Sequence, residues 1–183
     1  DHAQACDVMR ELPSLYDEPY SDNSAVPTVL LSRMTRESVT VALSGDGGDE
    51  LFGGYDRYGK LARLLPLMGL PRAAKRLLGA FSPFLGRSLR NGLLRLESAA
   101  DVPDLAEGFL DGFLGEPPVS GRAREAPSSI FRETFESAPV DSPLRRAMYA
   151  EARTYLNDDI LVKVDRASMS VGLEARVPLL DHH

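Results

Sequence analysis

The sequence predicts an α/β chain in which part of a parallel sheet is joined to a large helical portion. Three observations carry that expectation. The run Ser38-Val39-Thr40-Val41-Ala42-Leu43 is rich in β-branched residues and halts at a glycine-rich turn. The middle of the chain pairs leucines with basic residues in short amphipathic stretches broken by prolines. Near the end, Ile160, Val164, Ala167 and Val171 form one apolar stripe, while Asp159, Lys163, Arg166 and Ser170 repeat with the same spacing on another face.

Composition bounds the rest. With 183 residues, 43% hydrophobic and 26% charged, the chain reads as one ordinary globular domain or a piece of a larger one. A formal charge of −6 leaves no chain-wide basic footprint, so nucleic acid is not an expected partner. No apolar run approaches the roughly 18 residues that span a bilayer, and no signal peptide opens the chain, so no membrane or export role is expected. The single Cys6 has no partner for an intrachain disulfide, which fits a reducing compartment, and it reads as a small half-buried apolar residue. Histidine occurs only as His2, His182 and His183. Serine or cysteine triads and histidine-rich zinc sites therefore lack their base or their ligands.

Residues 1–56 read as helix, turn, helix, strand and loop. Pro19 breaks the opening helix, and Ser21-Asp22-Asn23-Ser24 supplies cap candidates for the next. That second helix would carry Val26, Val29, Leu30 and Met34 on one side, with Pro27 tolerated in its first turn. The strand, being short and mostly apolar, is expected in a parallel sheet covered on both faces. Residues 57–140 read as a helical insertion broken by Pro66, Pro71 and Pro83, with one helix around Arg72–Phe81 and cationic side chains facing water. Loops are expected at 115–121 and around Pro127. Residues 141–183 form the last block, where Asp141-Ser142-Pro143 is a helix start signal. Asn157-Asp158 reads as a second start, for a helix running to Val171 and ended by Gly172.

The stretch most suited to chemistry is Ser44-Gly45-Asp46-Gly47-Gly48-Asp49-Glu50-Leu51-Phe52-Gly53-Gly54-Tyr55. It comes directly after the strand, at the end where open α/β sheets place their ligands. Glycines let backbone amides approach a ligand closely, and consecutive N–H groups make a concavity suited to phosphate. Asp46, Asp49 and Glu50 would repel a bare phosphate but suit Mg²⁺ held between carboxylate and phosphate oxygens. A glycine-rich turn with solvated acids would show the same letters. Lys163 and Arg166 are likewise open to two readings, as cations for a phosphate or as surface partners of Asp159 and Asp165.

Three separated stretches then point the same way. Asp17-Glu18-Pro19-Tyr20-Ser21-Asp22-Asn23-Ser24-Ala25-Val26-Pro27 with the glycine loop, Tyr155-Leu156-Asn157-Asp158-Asp159-Ile160-Leu161-Val162-Lys163-Val164-Asp165-Arg166-Ala167-Ser168-Met169, and Gly172 to His182 resemble the synthetase domain of glutamine-hydrolysing asparagine synthetases. The resemblance implies a sheet of the adenine nucleotide α-hydrolase-like, or ATP pyrophosphatase, type. It implies a cytoplasmic ligase that adenylates the aspartate side-chain carboxylate with ATP and Mg²⁺, then forms the amide with ammonia from glutamine. Carried over by position, Ser44, Gly45, Gly47 and Gly48 belong to the nucleotide loop. Asp46 stands where many relatives have Glu and is linked to forming the acyl-adenylate, Asp49 would hold Mg²⁺, and Arg166, with Lys163 one turn earlier, would steady the phosphates.

Glu174, Arg176 and Asp181 are expected to be structural, and Phe52 and Tyr55 to be packing residues. The family's Ser-Gly-Gly-x-Asp-Ser loop and its N-terminal glutaminase domain do not occur here, so the chain is expected to be an incomplete part of a larger enzyme and inactive alone. Uncovered apolar surface would favour self-association, in the simplest case as a homodimer. Related amidotransferases and β-lactam synthetase-like ligases, or a non-catalytic remnant, are the alternative functions.

Overall fold

The computed structural model describes residues 2–17, 20, 22–81, 84, 86–111 and 130–181. The breaks expected at Pro19 and Pro83, the cap candidate Ser21, the loops at 115–121 and around Pro127, and His182 and His183 lie outside the described residues. Helices dominate, with one small parallel sheet. The chain divides into two compact units, residues 1–49 with 154–183, and residues 50–153.

In the first unit, α2 (Ala25–Arg36) packs against both α1 (His2–Leu15) and α10 (Leu161–Met169). The core is built from Val8, Val29 and Ala167, each wholly buried, with Leu12, Leu15, Val26 and Leu30 packed around them. The helical spacing of Val26, Val29 and Leu30 therefore finds its core, but Met34 is 67% exposed. Pro27 sits in the first turn of α2, where a missing N–H costs nothing. Cys6 is exposed on α1 rather than half-buried, because that face of the helix lies opposite Val8 and Leu12.

The strand is shorter and barer than its composition suggests. β1 (Val41–Leu43) pairs in parallel with β2 (Glu174–Arg176), with Val41 opposite Glu174, Ala42 opposite Ala175 and Leu43 opposite Arg176. Leu43 is 75% exposed and Val41 40%, so the sheet is not covered on both faces within the described residues. Alternation along a strand sends these two side chains to one face, and it is that face that lacks a covering layer.

No helix start occurs at Asn157-Asp158. The chain runs from α9 (Pro143–Arg153) through Thr154 and Tyr155 into a π-helical turn, Leu156–Ile160, and on into α10, with the Asp158 N–H donating to the Thr154 carbonyl at 2.8 Å. The inserted residue of a π turn rotates the helix C-terminal to it, which sets the register of the charged face of α10. Gly172 ends the helix as its sequence position suggests. It adopts a left-handed φ of 67°, and the Leu173 N–H reaches back to the Ser168 carbonyl at 3.0 Å.

Among the described residues the second unit is helical, without strands: the end of α3 (Gly48–Phe52), α4 (Asp56–Leu64), a 3₁₀ turn Leu65–Gly69, α5 (Arg72–Phe81), α6 (Arg87–Ser98), α7 (Val102–Asp111), α8 (Ile130–Ser137) and α9. The leucine pairs of the sequence supply its core through Leu61, Leu64, Leu93, Leu96 and Leu105, closed by Phe131, Phe135, Ala147 and Ala150. Arg132 grips Asp101 in a two-point ion pair at 2.7 and 3.0 Å and ties α8 to the start of α7.

Not all the basic residues face water. Lys75 is buried, and so is Arg57, whose Nε and Nη2 donate to one Glu151 oxygen at 2.9 and 2.5 Å. The Tyr58 hydroxyl donates to the same oxygen at 2.8 Å, and the Arg57 guanidinium lies 3.8 Å from the Tyr55 ring centre. Burial pushes the Glu151 carboxyl up, against the opposing pull of Arg57 and Tyr58. Removing the acid leaves a buried guanidinium uncompensated, which costs far more than the net worth of the pair. Glu151→Leu is expected to lower stability by about 3–5 kcal/mol, and Tyr58→Phe by about 1 kcal/mol, both measured by urea unfolding of the full chain.

Candidate functional site

The glycine-and-acid corner lies where the β1 ladder ends. The Ser44 N–H continues the pairing by donating to the Arg176 carbonyl at 2.8 Å, and the Gly48 N–H closes the turn on the Gly45 carbonyl at 3.2 Å. Gly47 has a φ of 82°, a left-handed backbone that disfavours any side chain, and a Cβ there would stand 2.4 Å from a Leu180 methyl. Gly48 faces Leu179 in the same 3₁₀ turn, Pro178–Leu180. The glycines thus serve first to seat the corner against the C-terminal turn, with Gly45 left exposed.

The three acids of the corner do not act together. The Ser44 hydroxyl donates to the Asp46 carboxylate, and Asp49 is exposed. Glu50 is buried and accepts the Tyr55 hydroxyl at 2.6 Å. Among the described residues no group of three acidic, histidine or cysteine side chains is placed to hold a metal. Asp46 and Asp49 nevertheless suit Mg²⁺, which takes one or two carboxylates and completes its shell with phosphate oxygens and water.

The cations of α10 are held across the fold. Lys163 is buried, and its Nζ donates to Asp22 Oδ2 at 2.5 Å and to the Ser24 hydroxyl at 2.7 Å. Asp22 in turn accepts the Ser24 N–H at 2.6 Å and its hydroxyl at 2.7 Å. Ser24 occupies the cap position of α2 but makes no side-chain cap bond, because its hydroxyl serves this cluster. Arg166 pairs with Asp17, both groups being well exposed. The intrahelical partners considered from spacing, Asp159 and Asp165, are not the ones used. Asp159 instead accepts the Tyr20 hydroxyl at 2.6 Å, and Tyr20 stacks on Tyr16 with centroids 4.3 Å apart.

Sequence reasoning does not single out Asp17, Tyr20, Asp22 and Ser24 as site residues, beyond cap candidates. The available signal is three acids and a tyrosine in one short stretch that has no cations of its own. Arg176 pairs with Glu174 on its own strand at 2.7 Å, at the surface. Phe52 is 76% exposed and therefore not a packing residue within the described chain.

The electrostatics reflect burial and pairing. Burial works against the Asp22 charge, yet the bonds from Lys163 and from both Ser24 donors carry its carboxyl below the usual range. Burial pushes the Asp159 carboxyl up, and the nearby Asp22 charge adds to that against the bond from Tyr20. The Tyr20 hydroxyl is raised by burial and by Asp159. A depressed carboxyl gives stability that is complete above its unfolded value and lost as pH falls through its folded one. Asp22→Asn is therefore expected to flatten the acid limb of the stability profile, and to cost about 3 kcal/mol at pH 7 by leaving Lys163 buried without its counter-charge. Urea midpoints of the full chain between about pH 2 and 7 measure both.

The asparagine synthase family matches residues 1–183. Asparagine synthetase (glutamine-hydrolyzing) 1 of Bacillus subtilis is 30% identical over 182 residues, covering 96% of this chain and 29% of the relative. A Mycobacterium bovis protein provisionally named asparagine synthetase (glutamine-hydrolyzing) is 34% identical over 183 residues, covering 95% and 27%. A similarly named protein of Methanocaldococcus jannaschii is 35% identical over 162 residues, covering 85% and 30%. The chain thus spans less than a third of the length of these curated relatives. No solved structure matches it significantly. No helix among the described residues is long and apolar enough to cross a membrane. With its whole length matched by the family, this chain belongs to the asparagine synthase family.

Proposed function

We propose that this chain supplies part of the synthetase site of an enzyme that makes asparagine with ATP. The side-chain carboxylate of aspartate attacks the α-phosphorus of ATP and pyrophosphate leaves. Ammonia derived from glutamine then displaces AMP to give the amide. The observation that carries this proposal is the glycine-and-acid corner at the carboxyl end of β1, where the last ladder bond joins Ser44 to Arg176. The sheet would then be the local part of an adenine nucleotide α-hydrolase-like sheet, and its bare face at Val41 and Leu43 would meet further layers of the whole protein. The glutaminase domain is the expected partner, and the cytoplasm the expected compartment.

In this proposal the Ser44 hydroxyl and the backbone of Gly45, Gly47 and Gly48 line the nucleotide. Asp46, oriented by Ser44, faces the reacting carboxylate and phosphate. Asp49, with Asp46 beside it in the loop, would hold Mg²⁺, which neutralises phosphate charge when bound. Arg166 is the cation for the leaving phosphates: its pair with Asp17 is exposed, so exchanging that carboxylate for phosphate costs little. Charge grows on the pyrophosphate as the bond breaks, so a fixed cation there favours the transition state over the ground state. Lys163 is a positioning residue, which holds the Asp22–Ser24 turn against α10.

The test is pyrophosphate exchange into ATP by the full-length protein with a panel of carboxylic acids. Aspartate-dependent exchange is expected, and Asp49→Ala is expected to lower it by about 10²-fold or more. Exchange with another acid alone would mark a related ligase, and none with any acid a non-catalytic protein. The 183 residues alone, given ATP, Mg²⁺, aspartate and ammonium, are expected to release no AMP, read by chromatography of the nucleotides.

A further inference from the structure

The second unit contains a cleft of about 680 Å³ that the proposed reaction does not use. This is within the usual range for small-molecule sites. Lys60 of α4, Arg87, Asn91 and Arg95 of α6, Tyr55 and Phe109 line it. Arg87, Asn91 and Arg95 stand at i, i+4 and i+8, so they share one face of α6 and extend along it for about 12 Å. From the sequence, this basic stretch reads as a helix face open to water. In the structure these side chains line a concavity together with Lys60 of α4.

The charges in that concavity are not equivalent. Arg57, which also lines it, is answered by Glu151 at 2.5 Å. The Arg95 guanidinium lies 5.2 Å from the Phe109 ring centre. Lys60 and Arg87 are exposed at the cleft, and Asp56 is the one acid among its described lining residues. The net charge of the lining is thus positive, in a chain whose formal charge is −6. A guanidinium fork matches a phosphate in two-point geometry, and the Asn91 amide between the two arginines adds a neutral donor. Cations spread along about two turns of helix suit an anion with several linked charged groups, because a single carboxylate would reach only one end. A guanidinium already lies against each of the two aromatic rings, so neither offers both faces to stacked bases of a single strand.

We propose that this cleft binds a small polyanion carrying several phosphate groups, with Lys60 and Arg87 as the main charge contacts and Asn91 as a neutral donor. The site shares no residue with the corner at 44–49, and it stands or falls apart from the proposed synthesis.

The probe is inorganic tripolyphosphate, titrated calorimetrically at low salt without divalent ions into the full-length protein carrying Asp49→Ala, so that the nucleotide corner is disabled. One saturable site is expected, weakened by added salt. The exposed pair Lys60→Glu with Arg87→Glu should weaken it about tenfold or more, while Arg90→Glu, exposed on the same helix outside the cleft, should leave it unchanged. Circular dichroism of each variant checks that the fold is retained. ATP binding with equal affinity would assign recognition to the phosphates, and tighter binding would add the nucleoside; both support the site. Absence of saturable binding, an unchanged affinity in the double variant, or an equal loss with Arg90→Glu would overturn it. So would a single-stranded oligonucleotide that binds more tightly than tripolyphosphate with the same sensitivity to variants.

Discussion

Three residues of parallel ladder hold the candidate site in place. Parallel strands cannot be joined by a tight turn, so β1 and β2 meet only because the chain between them returns through a long crossover. Here that crossover contains the whole helical unit, residues 50–153, and the return is made by α10. The ladder brings the Ser44 N–H to Arg176 and carries the 178–180 turn beneath the glycines. The geometry of the corner therefore depends on residues more than a hundred positions away. With so few ladder bonds, other contacts must fix the angle at which α10 arrives.

Buried charge fixes it in the first unit, and buried charge organises the second as well. Lys163 takes both of its polar partners from the turn before α2, and Glu151 takes Arg57 and Tyr58 from α4. A buried ion pair adds little net stability over an apolar pair, but leaving either ion unpaired is costly. Such pairs therefore penalise any packing that would separate their partners. The apolar clusters supply the driving force, through Val8, Val29 and Ala167 in one unit and a leucine-rich core in the other. The polar ties decide the register.

The bare strand face fits a chain that spans less than a third of its relatives. Val41 and Leu43 have the composition of a buried parallel strand and the exposure of an edge. Their β-branched run is legible as a strand because local sterics act on neighbours alone, whereas coverage of its faces depends on partners elsewhere. Arg72–Phe81 is equally legible, since its periodicity and the proline before it are both local. The interruption at Asn157-Asp158 is not. Good cap residues there start no helix, because they lie inside a π turn that leads directly into α10.

The amino-acid order by itself determined the helices with an apolar stripe, the end of α10 at Gly172, and the glycine-rich turn that follows the strand. Those depend on spacing, backbone freedom and residue type, which are properties of short segments. Only the tertiary structure decided that Lys163 is buried on Asp22 while Arg166 lies at the surface, that Glu50 turns to Tyr55, and that basic residues of α4 and α6 line one cleft. Ion pairing across the fold is set by which distant side chains share a desolvated space, and no local spacing contains that information.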